Sequence, residues 1–174
     1  MWKKFILFLL IVYGVIPALA QRSPEELGER IFDLFQNESY SFRALLPTTD
    51  QLIDKAETVN PELIKNRLDD YEKDYKTKLK SFQEKCRAIL IEGKADGIVW
   101  PETVLDSVIP YRKNITLKDI DQSVTIEMVK LAIYFSFEQK PYCLMVGMAY
   151  DFDGQYLVSN DEIEFRRMII LKKE

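Results

Sequence analysis

The chain reads as an α+β fold: N-terminal helices, one of them long, packed on a curved antiparallel sheet of four to five strands. Three observations predict it. Apolar residues recur every three or four positions from Leu27 to Phe35 and again from Ile64 to Ile89, the spacing of a helix face. After Gly97 that spacing gives way to alternation rich in β-branched and aromatic residues. Within the longest alternating run, Ser123 to Glu138, the apolar parity changes, which predicts a bulge or bend near Met128 and Val129 and hence curvature.

The first segment, MWKKFILFLLIVYGVIPALA, stands outside that fold. Lys3 and Lys4 form a positive start, Phe5 to Ile16 is apolar, and Ala18-Leu19-Ala20 supplies small residues for cleavage, so residues 1–20 are expected to be a signal peptide. The apolar run is short for a bilayer span. Gln21, where a lipid anchor would need cysteine, points to an exported protein that is periplasmic or extracellular, without a lipid anchor or stable membrane anchor. Residues 21–174 then suit a single α+β domain, helical over 23–93 and sheet over 98–171.

The helices follow in order. Ser23 caps the first, Pro24 suits its first turn and Glu26 completes a capping box; Leu27, Ile31, Leu34 and Phe35 make its buried stripe. Pro47 breaks the chain before a second short helix, with Thr48 and Gln51 as its cap. Asn60-Pro61 opens a long third helix carrying Ile64, Leu68, Tyr71, Tyr75, Leu79, Phe82, Cys86 and Ile89, with Gly93 as its stop. Its charges, such as Glu72–Lys76 and Asp74–Lys78, form a solvated face. The apolar repeat shifts phase near Tyr75, so an amphipathic helix laid across a sheet fits better than a coiled coil.

Five strands are expected after it: Thr103 to Ile109, ended by Pro110; Ser123 to Glu138; Tyr142 to Tyr150; Gln155 to Ser159; and Ile163 to Ile170, where Phe165, Met168 and Ile169 also fit a helix. The stretch DFDGQYLVSNDE, Asp151 to Glu162, can be laid over a calcium-binding loop, with Asp at positions one and three and Glu at twelve. That loop needs an entering helix and Gly at position six, whereas strand-like residues precede Asp151 and Tyr156 holds position six. Asp153-Gly154 between alternating segments is instead a hairpin turn.

Composition excludes whole chemistries. There is no histidine, which removes Ser-His-Asp and Cys-His catalysis and His-ligated zinc. Losing Lys3 and Lys4 lowers the basic count from 24 to 22 against 28 acids, a net charge near −6 that argues against nucleic acid or an anionic membrane as partner. Cys86 and Cys143 admit two readings. They could form a disulfide in an oxidising compartment, worth about 4 kcal/mol in the chain-entropy model, or remain two free apolar thiols. No metal or cofactor site is read from the residues.

The early helix with "LLPT", the "GIVW" after the long helix and the closing "DGQYLVSNDEIEF" resemble the cone-shaped folds of the nuclear-transport-factor-two-like and cystatin-like groups. The likeness is in particular to small uncharacterised secreted bacterial proteins of that type. It implies a cavity between sheet and helices, for which Trp100, Tyr134, Tyr142 and Tyr156 are candidate lining residues. Two functions follow from it. One is an exported, non-catalytic accessory module that binds a small apolar ligand or a protein. The other is a histidine-independent enzyme of isomerase or cyclase type, with Asp106, Glu127 or Asp151 as base and Tyr134 or Tyr142 as donor. Spacing pairs none of these, so no residue is named catalytic.

Overall fold

The structure is a computed structural model, and it describes residues 21–59, 68–118, 123–159 and 161–168. The signal-peptide segment, the Asn60-Pro61 helix start, Asn160 and the last residues of the fifth strand lie outside the described residues. Among those described are three α-helices and an open five-stranded antiparallel sheet.

Helix α1 spans Pro24–Gln36. Ser23 Oγ accepts from the Glu26 amide at 3.2 Å, and Glu26 reaches back to the Arg22 amide at 2.7 Å, one residue before the cap. Helix α2, Thr49–Val59, opens on the reciprocal pair expected: the Gln51 amide donates to Thr48 Oγ1 at 3.2 Å, and the Thr48 amide donates to Gln51 Oε1 at 2.9 Å. Helix α3 runs from Leu68 to Ala95 and turns Phe82, Cys86, Ile89 and Leu90 inward.

Gly93 does not stop α3, contrary to expectation. The stop is Gly97 at φ +84°, where the Ile98 amide bonds Gly93 O at 2.8 Å and the Gly97 amide bonds Lys94 O at 3.0 Å. This is a Schellman closure, which needs the left-handed residue just past the last turn. Gly93 lies inside the helix instead and gives room to Trp100.

The strands are β1 (Val104–Lys118), β2 (Ser123–Phe137), β3 (Lys140–Phe152), β4 (Gln155–Val158) and β5 (Ile163–Arg167). They are ordered β1-β2-β3-β4, with β5 also on β3. Strand β3 thus shares one edge between two partners, β5 beside Tyr142–Val146 and β4 beside Ala149–Phe152. Pro110 does not end the first strand. That strand lies at the sheet edge, where a residue without an N–H need cost no ladder bond.

A bulge lies next to the expected position, with the extra residue on the partner strand β3. Pairing of β1 with β2 is regular at Met128 and Val129. The register shift lies between β2 and β3, where Gly147 and Met148 together face the interval between Val129 and Leu131. A second shift leaves Asp106 as the extra residue in β1. Beyond Val129 and Ala149, β2 has no β3 partner among the described residues, so the β1–β2 ribbon and the β3–β4 hairpin part.

The Asp-Gly turn is confirmed. Asp153 and Gly154 both have positive φ, and the Gly154 amide donates to Asp151 Oδ1 at 2.6 Å.

Helix α1, not the long α3, lies over β1 and β2, while α3 meets the sheet at β5. Between them Trp100 is fully buried among Phe35, Phe135 and Phe165, at ring distances of 5.3 to 6.3 Å. Its indole N–H donates to Leu90 O at 3.0 Å, which satisfies the one polar group it brings inside.

Candidate functional site

Alternation divides the sheet into two faces. On the helix side, Val129, Leu131, Ile133 and Phe135 of β2 meet Leu144 and Val146 of β3 and Ile163 of β5 in one core. Two of the candidate lining aromatics are used there as packing. Trp100 is enclosed as described, and Tyr142 stacks between Phe135 at 5.5 Å and Phe165 at 5.7 Å. Cys86 belongs to the same core, and burial pushes its thiol well above the ordinary cysteine range.

A polar cluster forms on the helix side where the two ribbons part. The Tyr156 hydroxyl, on β4, donates to Glu127 Oε1, on β2, at 3.0 Å. Arg112 of β1 donates to the same oxygen at 3.2 Å and lies 3.9 Å from Glu25 on α1. Four elements meet at this point. Burial first, then the bond to Glu127, holds the Tyr156 hydroxyl above the usual tyrosine value.

Of the three carboxylates named as candidate bases, only Glu127 has a tyrosine partner among the hydrogen bonds described. Asp106 accepts from Ser136 Oγ at 3.1 Å, and Asp151 holds its own turn. The arrangement reads as a clamp more than as an acid–base pair. Tyr156 donates to the carboxylate itself, leaving no O–H aimed at a substrate, and the ion pair to Arg112 is half-exposed. Among the described residues no three His, Cys, Asp or Glu side chains are grouped to hold a metal ion.

The other face of the sheet carries no described helix. From β1 it presents Val104, Ile109 and Tyr111; from β2, Ala132 and Tyr134; from β3, Cys143 and Met145. Met168, whose amide bonds Pro141 O, borders it beyond β5. Seven large apolar side chains are exposed among the described residues. Four of them, Val104, Ile109, Tyr111 and Met168, lie on or beside this one face, so exposure is concentrated there. Tyr111 is 51% exposed and Val104 60%. A hydrogen bond joins the Tyr111 and Tyr134 side chains across the strand pair.

Tyr134 therefore lies on the opposite side of the sheet from Trp100, Tyr142 and Tyr156, and the four candidate lining aromatics do not converge on one cavity. The same division separates the cysteines. Cys143 Sγ faces Met145 Sδ at 3.6 Å on the outer face while Cys86 lies in the helix-side core, and both thiols are free.

Sequence reading missed Arg112, which completes the clamp, and Ile109 and Tyr111, which open the apolar face. Ile109 and Tyr111 alternate about Pro110, a signal lost once the strand was ended there. Comparison of the chain with protein-family models, with curated proteins and with solved structures gives no match.

Proposed function

We propose that this is an exported, non-catalytic module that binds a protein partner through the outer face of its sheet, on a fold of the nuclear-transport-factor-two-like or cystatin-like kind. One observation carries the reading. Four of the seven large apolar side chains exposed among the described residues, Val104, Ile109 and Tyr111 of β1 with Met168, lie on or beside the sheet face that no described helix covers, although Ala132 and Cys143 within it are buried. Apolar surface left open costs solubility, and concentration on one face is the mark of an interaction site. Of the helix-side aromatics that would have lined a ligand cavity, Trp100 and Tyr142 are packed ring against ring and Tyr156 is tied to Glu127.

The test is a photo-crosslinking amino acid placed at Tyr111 and, as control, at the exposed Lys80 of α3, in the protein expressed in its own cell. A discrete adduct from position 111 and none from position 80 supports the face. Silence at 111 ends the reading.

The enzyme reading is the weaker one: Glu127 does have a phenol beside it without histidine, but the Tyr156 O–H is engaged by that carboxylate itself. That reading needs Glu127→Gln to abolish a turnover that Asp106→Asn leaves intact.

A further inference from the structure

Resting on the outer-face reading, we infer that the partner presents an acidic amphipathic segment. Among the described residues, the charged side chains that the strands place on this face are Lys113, Lys130, Arg166 and Glu164, with Asp106 beside it. Two ends of the face differ. Glu164 is neutralised by Arg166 at 2.6 Å, and Asp106 is engaged by Ser136 at 3.1 Å. At the other end Lys130 is the cross-strand partner of Tyr111 and Lys113 lies two residues beyond it, both on the outer face. Neither lysine forms an ion pair with any described residue.

Two lysines without acidic partners thus flank the exposed tyrosine in a chain whose overall charge is negative. In 0.15 M salt a charge is felt over about 8 Å, so the local sign governs what docks there. An acidic residue set beside an apolar anchor satisfies both the lysines and Ile109–Tyr111. A second copy would set the same lysine-bearing surface against itself. An anionic bilayer would meet only two lysines, fewer than a lipid-binding basic cluster uses, on a chain that is acidic as a whole.

The experiment uses the exported protein, produced with its own leader, and three fluorescent helical peptides. All share the same leucine face and carry Glu, Gln or Lys elsewhere. Anisotropy is expected to rank Glu tightest, about tenfold ahead of Gln, with the advantage shrinking as salt rises. Lys130→Glu should erase that advantage, Lys113→Gln should reduce it severalfold, and Ile109→Glu should weaken all three peptides.

Equal binding of the Glu and Gln peptides overturns the acidic partner while leaving the face standing. No binding by any peptide, or binding indifferent to Ile109→Glu, brings down the face as well. Capture by phosphatidylglycerol vesicles in preference to the Glu peptide, or a sedimenting dimer that Ile109→Glu dissociates, replaces the acidic segment with a membrane or a second copy and also overturns the inference.

Discussion

Trp100 occupies the space that a side chain at Gly93 would need: a Cβ built there stands 2.5 Å from Trp100 Cζ2. The indole cannot easily yield, because its N–H is bound to Leu90 O and its ring is wedged against Phe35 and Phe135. Gly93→Ala would ordinarily strengthen a helix by about 1 kcal/mol. Overpacking of a filled core costs about 1–3 kcal/mol. The steric term wins here, and thermal melts of Gly93→Ala are expected to fall by a few degrees.

A matched case lies between α1 and β1. A Cβ at Gly28 would meet Val108 Cγ1 at 2.4 Å. Val108 is β-branched and stiff at χ1, so it cannot rotate clear without leaving its rotamer. Gly28→Ala should lose about 1–3 kcal/mol in the parent and much less in a Val108→Ala background. Denaturant melts of the four chains of that cycle check it; strict additivity would show that the close approach carries no cost.

These two glycines also show where sequence reading ends. Caps are local: Ser23 with Glu26 and Thr48 with Gln51 are three residues apart, and so is the bond from Gly154 back to Asp151. Such features were legible. Gly93 and Gly97 both satisfy a helix-stop pattern, and only the position of Trp100 distinguishes them. Pro110 breaks an interior strand but not an edge strand, and edge position depends on the order of all five strands. Tyr111 and Tyr134 share one face through the β1–β2 register, which a one-residue slip would reverse from face to face. The outer face was illegible for that reason.

The β2–β3 turn is built on residues poorly suited to it. Glu138 has φ +48° and Gln139 φ +64°, between the paired residues Phe137 and Lys140. Two successive left-handed residues make the primed turn that favours Asn-Gly. Replacing Glu138 by Asn and Gln139 by Gly also removes the exposed Glu138–Lys140 pair at 3.5 Å, worth less than about 1 kcal/mol. Relief of backbone strain is larger, so the double substitution should raise stability by about 1 kcal/mol. An unchanged denaturation midpoint would contradict it.

Acid should loosen the link between α3 and the β4–β5 connection. Asp161 accepts from Lys85 at 2.8 Å and from Ser81 at 2.7 Å, and these bonds, Lys85 first, hold its carboxyl below the ordinary aspartate value. With the folded value depressed, the stabilisation is complete above the unfolded pKa of about 3.9. It is lost as pH falls through the folded value. The pair is partly exposed, so solvent screening keeps the contribution to about 1 kcal/mol or less. Asp161→Asn should therefore lower stability at neutral pH and flatten the acid limb below about pH 4. An acid limb identical to the parent's would remove Asp161 from that role.

The Tyr156–Glu127 bond closes the gap that the sheet leaves open. Past Val129 the β1–β2 ribbon loses β3, and a two-stranded ribbon alone is marginal in water. Tyr156 reaches it from β4, and Arg112 binds the same carboxylate while approaching Glu25 on α1. Tyr156→Phe removes one hydrogen bond, about 1 kcal/mol, and leaves the Arg112–Glu127 pair intact. Amide exchange should then quicken in residues 113–118 and 123–128 and stay slow in residues 131–137, which retain both strand neighbours. The alkaline limb gives an independent check. Because the Tyr156 hydroxyl is held above its unfolded value, its stabilisation is complete below about pH 10 and disappears as pH rises through the folded value. The Phe variant should lack that loss. Unaltered exchange in the ribbon would mean that the β1–β2 ladder alone holds it, and the clamp would then serve only to seat Arg112 against α1.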